Sequence, residues 1–124
     1  MLGETPESLR DLSVSLNKVG GVAQQQGRWG DAQLAYQESL EIRRRLKALL
    51  GETPESLRDL SVSLYNLGRV FLEQNQSNLA MPYLQEGLAV CKRIAEMLPD
   101  LPAYTEGVGF FETLIDQATQ QTSQ

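Results

Sequence analysis

Cys91 is the one thiol in a chain that contains no histidine. Together these facts remove any nucleophile activated by imidazole, most zinc sites and any disulfide within the chain. What is left for catalysis is acid pairs such as Glu38 and Glu41, which stand at helix-surface spacing with no partner of opposite role. The sequence shows no phosphate loop and no metal-ligand cluster. No enzyme activity, metal or cofactor is therefore expected. Cys91 falls at helical spacing with Leu84, Leu88, Ile94 and Leu98, the place of a small core hydrophobe rather than a reactive thiol.

Arg43, Arg44, Arg45 and Lys47 form the one basic cluster. Consecutive helical residues point about 100° apart, so the three arginines spread around a helix and make no single-sided patch. They read as a solvated face near a helix C-terminus, where cations are favoured, in preference to a docking site for an acidic partner. The formal charge of −5 disfavours a polyanion, because nucleic-acid binding draws on Lys and Arg neutralising phosphates. With 41% apolar and 22% charged residues the chain has neither disordered nor membrane character, and no apolar run approaches the ~20 residues of a spanning helix. Met1 to Pro6 have no basic start and no apolar stretch, so no signal peptide is expected and a reducing cytoplasm fits best.

The elements that must position these side chains are organised by a repeat. LGETPESLRDLSVSL runs from Leu2 to Leu16 and recurs unchanged from Leu50 to Leu64, so the repeat period is the step from Leu2 to Leu50. The register then holds without a gap: Gly20 meets Gly68, Val22 meets Val70, Ala32 meets Ala80, and Leu40 meets Leu88. Pro102 follows Pro54 by the same step, so the tail reads as the opening of a third, diverged unit.

Each unit reads as two helices. Thr5-Pro6-Glu7 and Thr53-Pro54-Glu55 place an N-cap hydroxyl before a proline at the first helical position, then an acid at the positive end of the dipole. Leu9, Leu12, Leu16, Val19 and Ala23 recur at spacings of three and four, as do Leu57, Leu60, Leu64, Leu67 and Phe71. Gly27 and Asn75 should end these helices in the left-handed conformation. Second helices are expected from about Trp29 to Leu49, with Ala32, Tyr36, Ser39, Leu40, Arg43 and Leu46 on one face, and from about Asn78 to Leu98, with Pro82 in or just after the first turn. Trp29 falls at the corner between helices and is expected to pack over it. Short links force antiparallel pairing. A fifth helix is expected from about Ala103 to Thr119, with Tyr104, Val108, Phe111, Leu114, Ile115 and Ala118 apolar, fraying beyond Thr119.

Leu16, Val19-Gly20, Ala23, Ala32 and Tyr36, and then Leu64, Leu67-Gly68, Phe71, Ala80 and Leu84, resemble the tetratricopeptide-repeat signature. Small residues at Gly20, Ala32, Gly68 and Ala80 would let the helices of a unit approach closely. Three features depart from the common pattern. The usual proline after the second helix is missing, with Arg44 and Lys92 in its place. The period is longer than the common one of about 34 residues, which is similar to the extended repeats of kinesin light chain. The third unit has Asp116 where its glycine would stand.

The resemblance implies an all-α solenoid of tandem antiparallel helix pairs in one domain, 1–124. Unit 1 would be 2–49, unit 2 50–97, and a C-terminal capping helix 98–121. Leu2 matches Leu50, so the first unit is expected to expose a face that a preceding unit would cover, as in a fragment of a longer array or a self-associating chain.

In this family the first helix of each pair lines a concave groove that takes partner segments. Carried over residue by residue, the groove would be lined by Asn17, Lys18, Gly21, Gln24 and Gln25, then Tyr65, Asn66, Arg69, Leu72 and Glu73. The units diverge from Asn17 onward while neighbouring core places keep glycine and valine, as selection for different contacts, or drift on a solvated face, would produce. Asn66 offers an amide to a partner's backbone, Arg69 a pair for a carboxylate, and Tyr65 a flat contact area. Of the family's clamp for C-terminal carboxylates only Asn66 matches, so that ligand is not expected. The function expected is a non-catalytic scaffold binding a protein or peptide, without nucleic acid or membrane; the alternative is self-association through uncapped repeat faces.

Overall fold

Two helix starts are built alike. Thr5 and Thr53 accept through Oγ1 from the backbone N–H of Ser8 and Ser56 (both 3.0 Å), and the two serine hydroxyls accept in return from the threonine N–H groups (2.9 and 3.0 Å). These capping boxes satisfy otherwise orphaned donors, each threonine cap contributing about 1 kcal/mol. With Pro6 and Pro54 at the first helical position they fix where α1 (Pro6–Gln25) and α3 (Pro54–Glu73) begin.

The computed structural model describes residues 4–123, apart from the side chains of 102–105. Leu2 and Gly3 of the duplicated block therefore lie outside the described residues, as do Met1, Gln124 and the side chain of Tyr104. The remaining helices are α2 (Trp29–Leu50), α4 (Ser77–Met97) and α5 (Pro102–Ser123). The chain is all-α, and no strand occurs among the described residues. At the helix ends, the start of α4 falls within one residue of the expected place and the end of α5 differs. α4 starts at Ser77, which puts Pro82 in its second turn, on the exposed side. α5 does not fray after Thr119: Thr122 donates to the carbonyl of Ala118 and its hydroxyl meets Ser77 Oγ at 2.9 Å, pinning the last turn to α4.

Gly27 and Asn75 adopt positive φ (73° and 59°), as their position after α1 and α3 demands. Beyond them the N–H groups of Arg28 and Gln76 return to the carbonyls of Ala23 and Phe71, both at 2.8 Å. The chain thus reverses within three residues, and α1 packs antiparallel on α2 as α3 does on α4. The stack continues from α2 to α3 and from α4 to α5.

α3, with neighbours on both sides, is the most buried helix: Leu57, Leu60, Leu64, Leu67, Val70 and Phe71 all face the core. Leu12 and Val19, core residues by spacing like their counterparts Leu60 and Leu67, are instead exposed, because the flank that on α3 receives α2 receives nothing on α1 among the described residues.

The two junctions between successive pairs are filled differently at the same register positions. Where α2 meets α3, Arg43 is buried (5% exposed), not solvated as its basic neighbours suggest. Its Nε donates to Ser13 Oγ (3.2 Å), and its Nη1 to Ser63 Oγ (3.1 Å) and the Asp59 carbonyl (2.8 Å). Ser39 Oγ donates to the Ser13 carbonyl (3.0 Å) and lies 3.4 Å from Ser63 Oγ. Burial pushes the Arg43 pKa down, Asp59 partly offsets this and Arg10 adds to it, but a guanidinium stays protonated. Where α4 meets α5, one period on, Gly87 replaces Ser39, Cys91 replaces Arg43 and Phe111 replaces Ser63. There the Phe111 ring occupies the space over Gly87 that a side chain would need, and Tyr65 meets it edge-on at 5.7 Å. One junction is a satisfied polar cluster; the other is a close-packed aromatic one.

Candidate functional site

The first helices α1, α3 and α5 lie side by side and are tied across. Arg10 Nε donates to Asp59 Oδ2 (2.9 Å) near one end of α1 and α3, and Gln24 Nε2 donates to Glu73 Oε1 (2.7 Å) near the other. Between α3 and α5 the corresponding tie is Gln121 Nε2 to the Leu72 carbonyl (3.1 Å). These bonds fix the spacing of the helices and hence the width of the groove they line.

Among the clefts between these helices, two lie toward the C-terminal ends of α1 and α3. One, of about 390 Å³, lies between α1 and α3 and is lined by Gly21, Gln24, Gln25, Asn66, Arg69 and Glu73, with Tyr36 at its floor. The other, of about 510 Å³, lies between α3 and α5 and is lined by Tyr65, Arg69, Glu73, Thr113, Gln117 and Gln121. Arg69 and Glu73 border both, so the surface is continuous across three helices.

Tyr36 belongs to α2 but reaches this face because Gly20 leaves room for its ring. Its hydroxyl donates to Gln24 Oε1 (2.9 Å), Gln24 passes the chain to Glu73, and Arg69 Nη2 lies 3.5 Å from the same Glu73 oxygen. The Arg69 guanidinium also sits 5.6 Å from the Tyr65 ring centroid, a cation–π contact. Burial raises the Tyr36 pKa, Arg69 lowers it and Glu73 raises it further, so the phenol stays a neutral donor. Gln121 Oε1 is buried and has no hydrogen-bond partner among the described residues, an acceptor at the border of the second cleft.

Of the ten expected groove residues, Gly21, Gln24, Gln25, Tyr65, Asn66, Arg69 and Glu73 come together here, and Lys18 is exposed on the same helix. Two differ. Leu72 borders the second cleft, but its side chain is buried (7% exposed) in the core that α5 completes. Asn17 turns into the polar junction: with its amide oriented by its neighbours it donates to Ser39 Oγ (2.9 Å) and accepts from Arg43 Nη1 and Nη2 (2.9 and 3.2 Å). Sequence reasoning gives α5 only the role of a cap and misses Thr113, Gln117 and Gln121. One period beyond Tyr65, Arg69 and Glu73 stand those three residues, so the repeat itself held the signal.

A sequence model of the tetratricopeptide repeat matches residues 11–93, well over half of the chain. The chain belongs to the tetratricopeptide-repeat family. Repeats of this family generally mediate protein–protein interaction. No curated protein and no solved structure matches the chain. No helix among the described residues is long and apolar enough to cross a membrane.

Proposed function

We propose that this chain is a non-catalytic scaffold whose concave groove, lined by α1, α3 and α5, takes an extended segment of a partner protein. The observation that carries the reading is the continuity of the two clefts through Arg69 and Glu73, which presents amides, a guanidinium and a carboxylate in one row. Such groups hydrogen-bond a peptide backbone and select its charged side chains. The net charge of −5 argues against nucleic acid as the partner. A cytoplasmic location accords with the reduced, buried Cys91.

The test is affinity capture from cell lysate with three baits: the natural chain, Asn66→Ala with Arg69→Ala, and Lys92→Ala on the exposed side of α4. Partners should be lost from the double variant and kept by Lys92→Ala. Identical partner sets from all three would remove the groove assignment.

The competing reading, self-association, draws on the exposed Leu12, Val19 and Val22 of α1. Light scattering over a wide concentration range decides it: a chain that stays monomeric throughout is not an assembly element by itself.

A further inference from the structure

Leu12, Val19 and Val22 are 49%, 56% and 51% exposed, whereas Leu60, Leu67 and Val70, one period later, are 1%, 0% and 0% exposed. The α3 flank that bears the second set is covered by α2. Its polar fittings are Ser63, whose hydroxyl accepts from Arg43, and Asp59, whose carbonyl accepts from Arg43 and whose carboxylate accepts from Arg10. α1 carries the same fittings at the same register: Asp11 stands for Asp59, Leu12 for Leu60 and Ser15, exposed, for Ser63.

We propose that this flank of α1 is an acceptor for a helix pair whose second helix carries a small hydroxyl side chain and an arginine four residues later, as Ser39 and Arg43 stand on α2. The inference is independent of the groove, which lies on another face. The α2–α3 junction shows what the occupant must present. An incoming arginine would reach Ser15 and the Asp11 carbonyl, its serine would meet Ser15, and the leucine and two valines would be covered. The α4–α5 junction shows what does not fit. A helix of the α4 kind has Gly87 and Cys91 there and needs the Phe111 ring to fill the space above the glycine. Against Ser15 it would leave a ring-sized void and no donor for the exposed hydroxyl. A folded second copy does not qualify as occupant either, because its α2 is already engaged by its own α3.

The test fuses one further unit in register before the whole chain. In one fusion residues 2–49 precede Leu2, which recreates the Leu49–Leu50 junction; in the other residues 50–97 precede it. Amide hydrogen exchange along α1 is compared with that of the unfused chain. The first fusion should slow exchange of the α1 amides at least about tenfold more than the second. Replacing, in the added unit only, the arginine that copies Arg43 by leucine should abolish most of that gain. Equal protection from both fusions, protection from neither, or a gain that survives the leucine replacement would overturn the proposal. So would dimerisation of the unfused chain with its α1 amides protected.

Discussion

The ring of Tyr36 occupies the place a side chain on Gly20 would need: a Cβ built on Gly20 falls 2.6 Å from Cε1 of Tyr36. The close approach of α1 and α2 and the arrival of the Tyr36 hydroxyl at the groove are therefore one feature. Packing inside unit 1 sets the position of Gln24, and through it that of Glu73.

Gly20→Ala should destabilise the fold by about 1–3 kcal/mol, as overpacking of a filled interior does. Gly68→Ala should do the same against Leu84, which is fully buried. Gly109→Ala is the control: nothing among the described residues lies within 4 Å, and alanine in a helix interior should stabilise by about 0.5–1 kcal/mol. Urea unfolding of the three variants measures these differences, and a neutral Gly20→Ala would contradict the packing described.

The two junction fillings should be exchangeable only as sets. Ser63→Phe alone should cost about 3 kcal/mol or more, since the ring meets Ser39 and deprives the buried Arg43 of an acceptor. Adding Asn17→Tyr, Ser39→Gly and Arg43→Cys should recover most of that loss, a strong departure from additivity. A quadruple variant no more stable than Ser63→Phe would show that the fillings are not self-contained.

Alkaline pH should weaken the fold before neutral or mildly acid pH does. Burial raises the Cys91 thiol, with a partial offset from Ser61, and burial likewise raises Tyr36. Both groups are neutral when protonated, so the unfolded chain loses these protons first. Their stabilising effect is complete below the ordinary thiol value of about 8.5 and is lost as pH climbs through the raised folded-state values. Urea midpoints measured from pH 7 to pH 10.5 should fall, and Cys91→Ala should remove the earlier part of the fall. An unchanged profile in that variant would exclude Cys91 as its source.

Arg69→Ala and Asn66→Ala should shift stability by less than about 1 kcal/mol. The Arg69–Glu73 pair is surface-exposed, and such pairs contribute little. Thermal melting of both variants checks this, and it separates loss of a partner from loss of the fold.

What the sequence made legible was local or repeated. Thr5 and Thr53 cap, Gly27 and Asn75 turn, and Gly20 and Gly68 admit a neighbour because each role depends on residues within one hairpin, and each is written twice. Arg43 was not legible, since its burial depends on Ser13 and Ser63, thirty residues before it and twenty after it. The inward turn of Asn17 follows from the same cluster. Leu72 fits a groove position by spacing alone; only the arrival of α5, with Gln121 bonded to the Leu72 carbonyl, closes the core over it. The α5 face stayed hidden because the third unit has lost its glycine, the landmark by which the first two are aligned.

The duplicated block has a genetic consequence. Asn17, Ser39, Arg43 and Ser63 lie between the points where its two copies stop being interchangeable, and Tyr65, Gly87, Cys91 and Phe111 all lie beyond them. Unequal crossing-over within the block would delete or insert one full period carrying a whole arginine–serine set, leaving every helix in phase and the tyrosine–phenylalanine end intact. Lineages could lengthen or shorten this array in whole steps, with its aromatic junction preserved each time.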